Sequence, residues 1–539
     1  MLLSSLHLSA RPEAALAPRS AYTPELARLH DEGLKRLRAH VIGQVGNDGA
    51  IRDRCASRVL ESALMLHLLR AEDAFPGTQR GVTTYLETRR KELSSLQKGF
   101  GGAAVALERE LADAVLSGGT PDEDAGVEVF DTFEHFTSER KRFMFHTLLT
   151  ELGVVDSKVR FDLAAVRYDL YATWVNLEMC ALKILRAEQQ GEPGAATAED
   201  RGWLMDQLAT GSDRSIFEAD VFAHAVALLA ARKVSPGDPL VAEGIEALLR
   251  SQNPDGGFPF IAGWEPFGTA VAGLGLLTAG TTSEVTLPMA EFLVKHQNPD
   301  GGWGFAPGVR QSDADCSPYC LEMLRGADPV RFAPEIAKGE RYLLDLVNPD
   351  GGFGTYRRGD TSEVGVTGSS VSALAPHRDA CAPVLDEAVR YLLSCQRPDG
   401  TFERSWSLSE ANAMFRVLFA LRHYASGAPE ELRAPVAEAA SEARRYLTST
   451  QNVDGGWGQR KGDDSDVLST ACSLLALVCC EDVPPTVLRD GVAWLLSRQQ
   501  SDGGFSSVPD SAGPRPLPHD LPVLADGYAL LALGHVLSA

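Results

Sequence analysis

Along the second half of the chain two kinds of apolar pattern alternate. Short amphipathic stretches end in Ala247-Leu-Leu-Arg-Ser251, Phe292-Leu-Val-Lys-His296, Tyr342-Leu-Leu-Asp-Leu346, Tyr391-Leu-Leu-Ser-Cys395, Tyr446-Leu-Thr-Ser-Thr450 and Trp494-Leu-Leu-Ser-Arg498. Each is followed, after a turn, by a more uniformly apolar stretch such as Phe267 to Leu277 or Cys472 to Cys480. Helices that are apolar on one face alternate with helices that are apolar all round, which predicts an outer ring and an inner ring.

One turn separates them six times. It reads Gln252-Asn-Pro-Asp255-Gly-Gly-Phe258, Gln297-Asn-Pro-Asp300-Gly-Gly-Trp303, Val347-Asn-Pro-Asp350-Gly-Gly-Phe353, Gln396-Arg-Pro-Asp399-Gly-Thr-Phe402, Gln451-Asn-Val-Asp454-Gly-Gly-Trp457 and Gln499-Gln-Ser-Asp502-Gly-Gly-Phe505. The aspartates are spaced by 45, 50, 49, 55 and 48 residues, long enough for a helix pair per repeat. Pro, Asp and Gly supply a fixed φ, an Asx-type hydrogen bond and positive-φ positions that stop a helix. Six pairs closing on themselves predict an all-α fold, an α/α barrel with a hollow end.

The first half is less regular. Leu60–Leu69, Leu148–Val155 and Phe161–Leu185 read as helices, and the acid-rich stretch from Gly118 to Gly126 reads as a loop. Asn47-Asp48-Gly49 is a fragment of the turn. At 539 residues the chain exceeds one hydrophobic core. The expected division is an N-terminal helical segment, 1–45, packing on the repeat domain, a degenerate helical domain at 46–212, and the repeat domain at 213–539.

Composition narrows the function. A net charge of -22 argues against nucleic acid, and an anionic substrate would need a local basic patch or Mg²⁺. Nine cysteines, an odd number without a C-x-x-C pair, fit buried thiols in a reducing compartment. The first twenty residues lack a signal-peptide pattern, and no run of eighteen apolar residues occurs, so the expected compartment is the cytoplasm. A homodimer is compatible with the sequence.

Aligning the six apolar helices places Thr269, Ser317, Thr367, Met414, Thr470 and Asp526 at one reference position. Four residues earlier stand Glu265, Asp313, Glu363, Glu410, Asp466 and Pro522, a column that helix capping explains. Two residues earlier stand Phe267, Asp315, Gly365, Asn412, Leu468 and Leu524, and here Asp315 is the one acid. An unpaired carboxyl in an apolar barrel stays protonated near neutrality, as a general acid for an alkene must be. The alternative is a buried aspartate bonded to a neighbouring helix end.

These residues carry a resemblance. The turns resemble the QW motifs of squalene-hopene cyclases, oxidosqualene cyclases and class II diterpene cyclases. Asp313-Ala-Asp315-Cys316-Ser317 resembles their acid motif, D-x-D-D-T-A or D-C-T-A, with Asp315 at the proton donor and Cys316 at the cysteine of the second form. The likeness covers Asp213 to the C-terminus and fits the family's γ domain loosely in the first half. It implies a double α/α-barrel of βγ architecture acting as a protonation-initiated cyclase of farnesyl or geranylgeranyl diphosphate, with the diphosphate retained. Asp313 and Cys316 would assist Asp315. Phe267, Trp264 and Phe305 match cation-facing aromatics, with core packing as the other reading. Cys472, after Thr470-Ala471, stands where hopene cyclases have an aromatic and reshapes the cation pocket. Arg357, Arg358, Arg460 and Lys461 lie in loops suited to grip a diphosphate or simply to be solvated. Mg²⁺ would accompany the diphosphate, with Asp122, Glu123 and Asp124 as candidate ligands or as a solvated loop. No zinc is expected, because the Asp-x-Cys and His ligands of protein prenyltransferase β-subunits are missing. A cyclase that protonates an epoxide or alkene of a meroterpenoid, and a non-catalytic α/α-barrel binding module, are the competing readings.

Overall fold

The computed structural model describes residues 22–95, 102–117, 137–156, 158–210, 215–513 and 517–538. Among the described residues the regular elements are helices and two-residue strands, and the chain divides into two compact units. One comprises 1–53, 264–512 and 520–539; the other comprises 54–263 and 513–519. The boundaries thus fall at 53/54 and 263/264, not at 45/46 and 212/213.

The first unit is a closed double ring. Six helices line its inside: Glu265–Thr278, Cys316–Ala327, Val364–Leu374, Glu410–Ala425, Val467–Leu477 and Val523–Ser538. Each packs on the next, and the last packs on the first. Five outer helices follow the sequence expectation: Ser283–Lys295, Ala333–Asp345, Arg378–Ser394, Glu430–Thr450 and Pro485–Arg498. The sixth is Pro24–Gln44, which packs on Pro485–Arg498 and Val523–Ser538. Its amphipathic face buries Leu37 and Val41, while Thr23 caps its start.

The turns explain the closure. In each regular copy an N–H returns to the loop, as in Asn298 N–H to Gly302 O (2.9 Å) and Gly301 N–H to Asn298 O (2.9 Å). The glutamine of the last turn reaches the N-terminal helix, with Gln499 Nε2 donating to Gly33 O at 2.9 Å. Gly503, at φ +95°, abuts the backbone of Arg36, where a Cβ would stand 2.8 Å from the carbonyl oxygen.

The fragment at Asn47-Asp48-Gly49 is a complete turn. Gly46 N–H bonds Ala50 O (2.8 Å) and Gly49 N–H bonds Gly46 O (2.9 Å), the same pair of bonds as in the regular copies. Gly49, at φ +84°, lies against the Pro288 backbone, as Gly503 lies against Arg36. Ile51 N–H then donates to Thr269 Oγ1 at 2.9 Å. That bond is also the physical meaning of the reference column. Trp303 N–H bonds Ser317 Oγ (2.9 Å), Phe353 N–H bonds Thr367 Oγ1 (3.0 Å), Trp457 N–H bonds Thr470 Oγ1 (3.0 Å) and Phe505 N–H bonds Asp526 Oδ1 (2.8 Å).

The turn at 252–258 belongs to the second unit. Phe258 N–H bonds Ser62 Oγ (2.9 Å) on helix Val59–Ala71, and Phe258–Pro259 pairs antiparallel with Ser57–Arg58. Residues 54–263 of the second unit are therefore inserted in the chain between the first turn of the ring and its first inner helix. Within it, Thr173–Gln189 and Val59–Ala71 both pack on Val221–Val234. The expected helix over Phe161–Leu185 begins only at Thr173: Asp162 Oδ1 accepts Ala164 N–H in a local turn, and Phe161 N–H is taken by Gln190 Oε1. The expected helix at Leu148–Val155 is the tail of Ser138–Glu151.

Candidate active site

The acid motif lies where the turn at 297–303 meets helix Cys316–Ala327. Asp313 N–H bonds Trp303 O (2.9 Å), which fixes the strand-like entry to the helix. Asp313 Oδ1 then accepts the N–H groups of Asp315 (3.0 Å) and Cys316 (2.6 Å), satisfying two donors that the helix start leaves open. Capping is therefore Asp313's structural role. Its side chain is also buried, and burial, with the neighbouring charge of Asp315, pushes its carboxyl up to about 8. Near neutrality Asp313 carries a proton.

Asp315 is not the unpaired acid that its column suggests. Its carboxylate is ion-paired with Arg416 of helix Glu410–Ala425, and its side chain is 23% exposed against 6% for the arginine. Arg416 lies two residues past the reference position, in a column that reads Val271, Tyr319, Ser369, Arg416, Cys472 and Tyr528. This column forms a second layer inside the ring. The Arg416 guanidinium sits over the Tyr319 ring, 5.4 Å from its centroid, and the Tyr528 hydroxyl bonds that of Tyr319 at 3.1 Å. Arg416 Nε is buried without a hydrogen-bond partner. Arg416 is the one charged residue of that column, and this is the signal in the sequence that points to it.

Cys316 does not touch the acid in the way the resemblance implies. Its thiol faces Gly304 O (3.7 Å) and Cys320 Sγ (3.7 Å), the neighbour one turn on, and burial pushes it well above the usual thiol range. Phe267 is buried between Trp264 (centroids 5.5 Å apart) and Tyr319 (5.0 Å, edge-on). Phe305 is half-buried. Cys472 is buried and lies 3.8 Å from Asn412 Nδ2.

The column of Asp315 does line the inner space. Two small hollows open there, each with room for about one water molecule. One is walled by Gly365 and Asn412 of that column together with Arg404 and Arg416. The other is walled by Leu468 and Leu524 of the same column, with Asp510 and Asp520. The basic loop residues are distributed differently. Arg357 and Arg460 are half-buried in equivalent loops two repeats apart, each with its N–H on a loop aspartate, Asp360 or Asp463 (both 3.1 Å). Arg358 and Lys461 are exposed. Asp122, Glu123 and Asp124 lie outside the described residues. Among the described residues no three His, Cys, Asp or Glu side chains converge on a point where a metal ion could sit, and no helix is long and apolar enough to cross a membrane.

Residues 270–508 match the prenyltransferase alpha-alpha toroid domain family. The chain is 41% identical over 513 residues to a drimenyl diphosphate synthase of Streptantibioticus cattleyicolor, covering 93% of each chain. It is 41% identical over 535 residues to a drimenyl diphosphate synthase of Streptomyces showdoensis, covering 97% of each. The ent-copalyl diphosphate synthase from Streptomyces platensis shares the fold, at a TM-score of 0.62 and 17% identity over 94% of this chain and 99% of that one.

Proposed function

The chain belongs to the class II terpene cyclases, and on that premise we propose that it converts farnesyl diphosphate to a bicyclic diphosphate, with Asp315 protonating the alkene farthest from the diphosphate. The observation that carries this reading is the full-length similarity to two drimenyl diphosphate synthases, which favours farnesyl over geranylgeranyl diphosphate. Their product name keeps the diphosphate, in line with protonation and not ionisation as the trigger.

The chemistry follows from three groups. Asp313 is the proton store, since burial keeps its carboxyl protonated near neutrality. Asp315, two residues on and in the same column as Gly365 and Asn412 of one hollow's wall, is the donor to substrate. A cation beside a donor strengthens it as an acid by stabilising the carboxylate that proton transfer leaves behind. Arg416 supplies that cation, and its ion pair with Asp315 is the arrangement after the proton has gone. Reloading from Asp313 resets the pair. Phe267 and Trp264 offer aromatic faces to the ring cation without being nucleophilic enough to capture it. Mg²⁺, which the family resemblance implies, would do no more than neutralise the diphosphate, and no step here runs through it. Arg357, Arg358, Arg460 and Lys461 remain the candidates to hold the diphosphate.

Incubating purified chain with farnesyl or geranylgeranyl diphosphate in D₂O tests this. The expected product is a bicyclic diphosphate from farnesyl diphosphate carrying deuterium at the protonated terminus. Release of inorganic pyrophosphate, or preference for the longer substrate, would overturn the reading.

A further inference from the structure

Cyclisation that begins by adding a proton must end by removing one, and the two acids described so far serve only the beginning. The hollow walled by Leu468 and Leu524 holds a second acid group unrelated to the motif. Asp510 follows the last turn of the ring, is buried, and stands in the wall of that hollow beside Leu468, Leu521 and Leu524. Helix Val467–Leu477, which carries Leu468, is third from helix Cys316–Ala327 around the six inner helices in either direction. Asp510 lies between the start of helix Val467–Leu477 and the 407–409 loop that leads into helix Glu410–Ala425.

We propose that Asp510 is the base that ends the reaction, taking the proton from the carbon next to the final ring cation. The C–H electron pair becomes the alkene, the carboxylate becomes a carboxylic acid, and that proton returns to solvent; nothing is oxidised or reduced. This assignment rests on the cyclase reading above.

The carboxyl is held for such a role. Asp510 Oδ1 accepts Ser409 N–H at 3.1 Å, and its carbonyl accepts Leu408 N–H at 2.8 Å, so the group is fixed against the 407–409 loop. Burial pushes the carboxyl up to about 7, with Ser407 bonding to it, Asp466 repelling it and Arg404 attracting it. Cys472 feels its charge from the neighbouring inner helix, and Asp520 shares the hollow wall. A base poised there is about half ionised at neutrality, close to the optimum for accepting a proton.

A purely structural Asp510, tying two loops together, makes a different prediction, because Asn keeps the acceptor for Ser409 N–H. Asp510→Asn and wild type are compared on farnesyl diphosphate, with every ring-closed product identified and folding followed by thermal melting. Alkene formation should fall ~10²-fold or more, with water-captured alcohols becoming the main product, while ring-closed products in sum fall far less. An unchanged product ratio in a folded variant overturns the assignment. Should the variant not fold, the wild-type ratio of alkene to alcohol decides: it should drop from pH 8 to pH 6 as Asp510 takes up a proton, and a constant ratio overturns the assignment. Using the ratio separates termination from initiation, so the titration of Asp313 does not enter. Wild type that closes no ring on either prenyl diphosphate would instead be a failure of the cyclase reading.

Discussion

Arg416 and Asp315 are ion-paired inside the ring although 101 residues separate them along the chain. Removing one partner leaves the other charge in a poor solvent, which costs about 3 kcal/mol for a largely buried pair. Asp315→Asn should therefore lower stability as well as abolish cyclisation, by ~10²–10⁴-fold for loss of the general acid. Arg416→Met should also be destabilised. The double variant should be more stable than the two single losses added together, because neither charge is left alone. Denaturant unfolding of all four proteins checks this, and strict additivity would mean that the pair does not form in solution.

Cys316 is expected to matter little to the acid, since its thiol faces Gly304 O and Cys320 and not Asp315. Cys316→Ala should change the pH dependence of kcat/KM by less than either aspartate variant. A shifted acid limb in that variant would show that the thiol does reach Asp315 when substrate is bound.

The bond from each turn into the reference column gives a stability prediction. Trp457 N–H is buried on Thr470 Oγ1, so Thr470→Val leaves a donor without a partner and should cost ~1–3 kcal/mol. Ser473, three residues on, has a buried hydroxyl without a partner, and Ser473→Ala should cost less. Equal losses by calorimetry would mean that the turn bond contributes nothing beyond packing.

How far the sequence led can be traced residue by residue. The Asp-Gly-Gly turns announce the ring because each glycine and aspartate does a local job. Asn47-Asp48-Gly49 does that job without the glutamine or the final aromatic, so its pattern was incomplete while its hydrogen bonds are not. The turn at 252–258 has the full pattern yet serves Ser62, since nothing in a local motif says which helix will accept its N–H. Asp315 stood out as the one acid in its column. Arg416 did not, because a partner that arrives from two inner helices away appears only when the next column is read as a layer of the same ring.

Asp313 gives a pH dependence with a definite sign. Its carboxyl is held at about 8 in the folded protein, against 3.8 ordinarily, so between those values the native state binds more protons than the unfolded state. Stability from this group then falls as pH rises from about 4 to about 8, the reverse of a salt-bridged carboxylate. Asp313→Asn keeps the acceptor for the Asp315 and Cys316 N–H groups and cannot ionise. The variant should gain on wild type as pH is raised through that window, in melts taken at a series of pH values. In catalysis the expectation runs the other way. If Asp313 reloads Asp315, wild-type kcat should decline above about pH 8, and the variant should turn over slowly at every pH while remaining folded. A variant that cyclises at the wild-type rate would confine Asp313 to its capping role and leave Asp315 to take its proton directly from solvent.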